Sequence, residues 1–368
     1  MTSSGRIKVL ALSPIPEEGA GCRFRVSQYI PYLEAHGFDV TVRPFYTPEF
    51  FRLVYRPGHF LRKSAAFMGL LARRLQVMRE LDQYDLVVIY REAIPIGPPW
   101  IERAIARRGK PIVFDFDDAI FLPNVSEANK SISFLKDTNR PAEIIGFSRH
   151  VVAGNDFLAA FARRFNPAVT VVPTAVDTNR FVPRPDRTRP PGEAPVVGWI
   201  GSPTTYHYVE AISGLLKDVA QRHPFTLKIS GAGKPVQFDG VRVEDVPWAM
   251  SREVELFNSC DIGIYPLDDD DWARGKCGFK AIQFMACGVP VVASAVGVNR
   301  EIITDGENGF LASSAAEWTA KLERLLADAA LRERFSAAGR RTIEDRYSLR
   351  VTAPQLSGIL REAATPTP

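Results

Sequence analysis

Short runs of apolar, β-branched residues alternate along the whole chain with segments whose apolar residues recur at helical spacing. The first strand-like runs are Ile7–Leu12, Val40–Val42, Leu86–Ile89, Ile112–Phe116, His150–Val152 and Val169–Val172. A second series follows at Val196–Ile200, Thr226–Ile229, Val241–Val243, Ile262–Tyr265 and Val289–Ala293. Segments such as Tyr206–Gln221 and Phe279–Cys287 read as intervening helices. Runs that are apolar nearly throughout leave no wet face, so they predict parallel strands covered by helices on both sides.

Between the two series lies VPRPDRTRPPGEAP, Val182 to Pro195, whose five prolines disfavour helix and sheet alike. It reads as a linker. The expected organisation is therefore α/β, with a Rossmann-like acceptor domain at 1–181, a linker at 182–195 and a second Rossmann-like domain at 196–345. A tail at 346–368 is expected to cross back to the first domain. In doubly wound sheets ligands sit beyond the carboxyl ends of the strands, so two such domains are expected to face a central cleft.

Composition narrows the picture. A chain of 368 residues with 46% hydrophobic and 24% charged residues can bury an ordinary core. Cys22, Cys260, Cys277 and Cys287 are scattered, without C-x-x-C, and the start of the sequence lacks an apolar signal segment. A cytoplasmic protein fits best, with peripheral contact at the inner face of the membrane left open. The net charge of +4, from 46 Lys+Arg against 42 Asp+Glu, is too mild to argue for nucleic acid. Charge is nevertheless concentrated between Arg52 and Arg79, where Arg56, Arg62, Lys63, Arg73 and Arg74 alternate with Phe60, Leu61, Phe67, Met68, Leu70, Leu71 and Leu75. Such a stretch suits either an anionic membrane surface or a sheet-covering helix with a solvated basic edge.

Candidate chemistry begins after the first strand, where Pro14 to Gly21 lead into Cys-Arg-Phe-Arg. A glycine-bearing loop there lets backbone approach a ligand, and helix N-termini favour anions. The spacing is not G-x-G-x-x-G, which argues against a nicotinamide cofactor. Arg23 and Arg25 read as lying at a helix start, where a cation opposes the macrodipole unless an anion or acid compensates. Contact with an acceptor or phosphate and an internal salt bridge both remain open.

Asp115-Phe-Asp-Asp118 closes the fourth strand, and three carboxylates there repel unless a hydroxyl, cation or metal offsets them. Asp117 or Asp118 as sugar ligand or general base is one reading. Capping by Asp118 and a metal-binding D-x-D are the others. In the second domain Gly201, Ser202, Thr204 and Thr205 sit between strand and helix, where N–H groups and hydroxyls cradle phosphate or simply cap. Ser230-Gly-Ala-Gly-Lys234 repeats the glycine theme without Walker spacing.

The stretch Asp261 to Phe310 is the most informative. An acidic loop is followed by Arg274, Gly275, Lys276, Cys277, Gly278, Phe279 and Lys280 at the head of a helix. Small residues exposing N–H groups beside three cations suit a diphosphate. The acidic run Asp268 to Asp271 reads as a solvated loop rather than a metal site.

These residues resemble the retaining glycosyltransferases of the large GT-B group 1 (GT4-type) family. The likeness rests on Phe279-Lys-Ala-Ile-Gln-Phe-Met-Ala-Cys-Gly-Val-Pro-Val-Val-Ala-Ser294, Gly297-Val-Asn-Arg-Glu301 and Asp305-Gly-Glu-Asn-Gly309, supported by Val197 to Ser202 and Val172 to Phe181. It implies a GT-B fold with a nucleotide sugar on the C-terminal domain and the acceptor mainly on the N-terminal one. The family's paired glutamates, E-x7-E, are replaced here. Gln283 takes the ribose position and Gly275 the sugar-facing one, and Asp117 aligns with a histidine often found near the donor sugar. The backbone of Cys277, Gly278 and Phe279 is implied to hold the β-phosphate and sugar. Ser202-Pro-Thr-Thr-Tyr206 stands where the family has an Arg/Lys pair, so Lys276 and Lys280 are expected to supply the missing charge.

The expectation is a retaining glycosyltransferase, metal-independent and without cofactor, moving sugar from a nucleotide-sugar donor to a glycan or lipid-linked acceptor, as in polysaccharide biosynthesis. Lys276 and Lys280 would stabilise the leaving diphosphate, and Asp117 or Asp118 would orient sugar or acceptor. The alternative is a non-catalytic GT-B homologue that binds a nucleotide sugar or a protein partner.

Overall fold

Every apolar run named above overlaps a strand in the computed structural model, which describes residues 5–54, 56, 58–122, 138–187, 190 and 192–365. The first six strands are β1 (Ile7–Ser13), β2 (Phe38–Pro44), β3 (Leu86–Tyr90), β4 (Ile112–Phe116), β5 (His150–Ala153) and β6 (Val169–Val171). They form one sheet in the order β2-β1-β3-β4-β5-β6. The next six are β7 (Val196–Ile200), β8 (Thr226–Ser230), β9 (Arg242–Asp245), β10 (Ile262–Tyr265), β11 (Val291–Ser294) and β12 (Phe310–Ala312). Their order is β12-β11-β10-β7-β8-β9. All ten strand pairings are parallel.

Burial follows the pattern that parallel sheets require. All five residues of β4 and of β7 are buried, whereas the edge strand β9 exposes Arg242, Glu244 and Asp245. Charge on an edge discourages further strands from adding to it. The strand β12 escapes a sequence reading because it has only three residues. The segment read as one helix from Tyr206 divides into Tyr206–Ala211 and Ser213–Arg222.

In each sheet the chain reverses its winding direction once, between β1 and β3 and between β7 and β10. Loops leaving the carboxyl ends of such neighbours diverge and open a crevice. Those loops carry most of the candidate residues.

The described chain divides into two units, one running to Thr174 and resuming at Thr352, the other from Ala175 to Val351. The boundary thus precedes the proline-rich stretch, which was read as the linker. Arg184 bonds Asp261 at 3.1 Å, its N–H donates to Asn258, and Arg187 donates to the carbonyls of Cys260 and Cys287. The arginines among the prolines tie this stretch to the second unit. No described helix is long and apolar enough to cross a membrane.

Candidate functional site

In the first unit the candidate residues gather at the carboxyl ends of β1, β3 and β4. The helix after β1 is short, Ala20–Arg25, so Arg23 and Arg25 occupy its last turn and not its start. The expected conflict with the macrodipole is thereby reversed, since cations are favoured at a helix C-terminus. Arg25 makes a bidentate pair with Asp115, at 2.9 and 2.7 Å, and donates to the Val172 carbonyl and the Thr174 hydroxyl. Burial pulls the Arg25 guanidinium down, but the Asp115 charge more than offsets this and holds it well above its ordinary value. The internal salt bridge is the reading this geometry supports. Arg23 is also buried, with its guanidinium 4.7 Å from the centre of the Phe24 ring.

Asp117 is similarly committed. Its Oδ1 accepts from the Tyr90 hydroxyl at 2.8 Å and from Arg91 Nε and Nη2 at 2.9 and 2.7 Å, while Arg91 also reaches Asp118 at 3.1 Å. Burial pushes the Asp117 carboxyl up, yet the charges of Arg91 and Arg25 and these hydrogen bonds hold it below its usual range. A carboxylate so stabilised is a weak base, and a better anchor for a hydroxyl than a proton acceptor. Arg91 adopts left-handed backbone, φ 58°, uncommon for a non-glycine residue. Sequence reasoning missed Tyr90 and Arg91, because neither forms a motif with the Asp run until the sheet sets β3 beside β4. Gly21 is explained by the same cluster: a Cβ there would lie 2.1 Å from the Tyr90 hydroxyl.

In the second unit, β7 and β8 end in two interlocked glycine loops. The Gly201 N–H donates to the Ser230 carbonyl at 3.0 Å, and a Cβ on Gly231 would meet the Gly201 carbonyl at 2.3 Å. The hydroxyls of Ser202, Thr204 and Thr205 bond one another at 2.9 and 3.2 Å, and the Ser202 N–H donates to Thr205 Oγ1. They stabilise their own turn.

The loop after the neighbouring strand, β10, leads to the helix Phe279–Ala286. Gly278 precedes it at φ 62°, and a Cβ there would fall 2.3 Å from Ile302 Cδ1. Gly275 and Cys277 are buried beside it. Arg274 is exposed and bridges Asp269 and Asp271 at 3.0 and 3.2 Å, so part of its charge is spent on the acidic loop. Lys276 lies 5.1 Å from the Trp272 ring centre. Lys280 donates to Gln283 Oε1 at 2.8 Å, and Gln283 Nε2 donates to Glu253 at 3.1 Å. Gln283 is wholly buried, and Glu253, also buried, pairs with Arg180 at 3.4 Å. A carboxylate therefore does stand behind Gln283, brought by another helix, and no local sequence pattern announces it.

Two buried polar atoms at this carboxyl edge have no hydrogen-bond partner among the described residues: Ser230 Oγ and Asn299 Oδ1. Orphaned polar atoms are rare in native interiors, and each calls for an explanation such as strain or a bound water or ion. A cavity of about 520 Å³ opens at the ends of β10, β11 and β12, lined by Tyr208, Leu267, Ser294, Val296, Arg300 and Trp318 among others. None of Arg274 to Gln283 lines it. Among the described residues no three His, Cys, Asp or Glu side chains are grouped to hold a metal ion.

Two six-stranded parallel sheets in separate units, each with a glycine-loop crevice at its winding reversal, define the GT-B fold of glycosyltransferases. The chain superposes on sucrose-phosphate synthase from Thermosynechococcus elongatus with a TM-score of 0.72 and 18% identity, covering 97% of this chain and 99% of that one. It superposes on Anabaena Alr3699/HepE, solved with UDP and glucose, at 0.64 and 16%, covering 97% and 100%. Residues 194–328, which lie in the second unit, match the family Glycosyl transferases group 1.

Curated relatives share shorter stretches. A D-inositol 3-phosphate glycosyltransferase of Stackebrandtia nassauensis is 33% identical over 119 residues, 32% of this chain and 26% of that protein. A phosphatidyl-myo-inositol mannosyltransferase of Mycobacterium leprae is 38% identical over 90 residues, 24% of each. The matches thus span about a quarter of those relatives' lengths.

Proposed function

We propose that the chain is a glycosyltransferase that takes a sugar from a nucleotide-sugar donor, with retention at the anomeric carbon, and passes it to a glycan or lipid-linked acceptor. The observation that carries this reading is the head of the helix Phe279–Ala286. Gly278 turns the backbone there, and Lys276 and Lys280 stand close by in sequence. Preorganised N–H dipoles and cations stabilise the charge that a leaving diphosphate gains in the transition state. The group 1 match covers every loop of this edge, and Alr3699/HepE has been solved with UDP-glucose. A uridine nucleotide is accordingly the first donor to try.

Within this reading the donor lies on the second unit, and Asp117 or Asp118 on the first orients an acceptor hydroxyl. The exposed Phe60, Leu61, Met68 and Leu75 on the helix Phe60–Val77 support peripheral contact with a membrane. Thermal-shift titration with UDP-, GDP-, ADP- and dTDP-sugars, followed by nucleotide release with the stabilising donor, tests the whole. Stabilisation by one donor and its loss in Lys280→Ala are expected. No stabilisation by any of the four removes the donor assignment.

A second reading, binding without turnover, is favoured by Gly275, which offers no carboxylate to the sugar. Donor stabilisation without nucleotide release across a panel of acceptors would establish it.

A further inference from the structure

A second charged site lies in the first unit, apart from the Asp117 cluster. The helix Phe60–Val77 packs against the carboxyl end of β2 and leaves a cavity of about 190 Å³, lined by Arg43, Phe45, Leu70, Arg73, Arg74 and Glu80 among others. That exceeds several water volumes of about 30 Å³ each. Arg74 is 3% exposed, yet forms no ion pair with a carboxylate among the described residues. Its Nη2 donates weakly to the Ser13 carbonyl at 3.3 Å, its guanidinium lies 5.8 Å from the Phe45 ring centre, and nothing described accepts from its buried Nε–H. Burial and the neighbouring Arg73 charge pull it down to about 10, against a partial lift from Glu102.

A buried guanidinium with an unused donor is costly unless an anion completes it. Glu80, the acid in the lining, sits 3.7 Å from Arg43 on the rim, in a half-exposed pair. Three arginines therefore surround a space holding one carboxylate. Guanidinium forks match the oxygens of phosphate geometrically.

We propose that this cavity binds a phosphate group, with Arg74 as its floor and Arg73 and Arg43 at its mouth. Identifying the group as the acceptor's own phosphate rests on the transferase reading above, whereas the binding itself does not. The oxyanion can belong to a free phosphate ester or to a lipid headgroup, and the two are separable.

The test uses the full chain, with Arg74→Gln and, should that variant fail to fold, the exposed Arg73→Gln. Inorganic phosphate and sn-glycerol 3-phosphate are titrated calorimetrically at constant ionic strength set with chloride, and phosphatidylglycerol vesicles are used in co-sedimentation. For a free ester, millimolar binding is expected in the wild type, weakened about tenfold in Arg74→Gln and about threefold in Arg73→Gln. For a headgroup, vesicle binding is expected to fall by similar factors while free phosphate binds in neither form. Binding unchanged in the variants, or no binding by any of the three probes, overturns the proposal. UDP titration is run in parallel: its failure would touch only the donor reading, because Arg73 and Arg74 lie in the other unit.

Discussion

Gly278→Ala tests the geometry at the head of the helix Phe279–Ala286. The residue has φ 62°, and an added Cβ would lie 2.3 Å from Ile302 Cδ1, 3.1 Å from Val298 Cγ1 and 3.2 Å from Asn299 Oδ1. Left-handed backbone costs an L-residue roughly 1–2 kcal/mol. Ile302 is fully buried and cannot swing into water, so relieving the overlap costs a further 1–3 kcal/mol or so. The expected loss is about 2–5 kcal/mol, or a fall in Tm of about 5–15 °C for a domain of this size. Gly306→Ala is the control. It shares the backbone condition, φ 82°, but has no neighbour within 4 Å, so only the first cost applies. Ile302→Ala supplies the complementary check, since combining it with Gly278→Ala is expected to recover about 1–3 kcal/mol of coupling. Calorimetric melts of the four variants and the wild type decide the matter. If Gly278→Ala melts within about 2 °C of wild type, or no differently from Gly306→Ala, the crowded left-handed turn is refuted, and with it the placement of the backbone N–H groups.

Two other outcomes follow from the charge arrangements. Gln283→Glu would place two buried carboxyl groups in contact, about where Gln283 Nε2 meets Glu253 at 3.1 Å. Such a pair retains a proton that the unfolded chain releases, so the variant is expected to be least stable at high pH and to recover as pH falls. Equal melts at pH 5 and pH 8 would count against this, and adding Glu253→Gln is expected to restore the wild-type profile. Asp117→Asn is expected to cost about 1.5–3 kcal/mol at neutral pH, by unmaking charge-assisted bonds to Arg91 and Tyr90. Because the Asp117 carboxyl is held below its usual range, its contribution is present above about pH 4 and lost as pH falls through the lowered value. The variant should therefore show a shallower acid limb in urea melts taken between pH 5 and 2, and a parallel limb would remove Asp117 from the account.

Much of this protein is legible without its coordinates, because parallel strands buried on both faces must be apolar nearly throughout. Runs such as Ile112–Phe116 and Val196–Ile200 announce themselves, as does the helix Phe279–Ala286, flanked by Gly278 and Gly288. Backbone chemistry is local, so the left-handed glycines after strands could be suspected from spacing alone. Ion pairing is not local. Whether Arg25 faces a ligand or Asp115 depends on a partner ninety positions away, and Glu253 reaches Gln283 across thirty. The three-residue strand β12 carries too few positions to show a period, and the proline-rich stretch looks like a linker until Arg184 and Arg187 find their acceptors. The sequence by itself determined the two parallel sheets and the place of the helix head, since both follow from short-range pattern. Only the tertiary structure decided which charges neutralise one another and which, like Arg74, are left facing a cavity, because a charge's partner is fixed by distance in space and not along the chain.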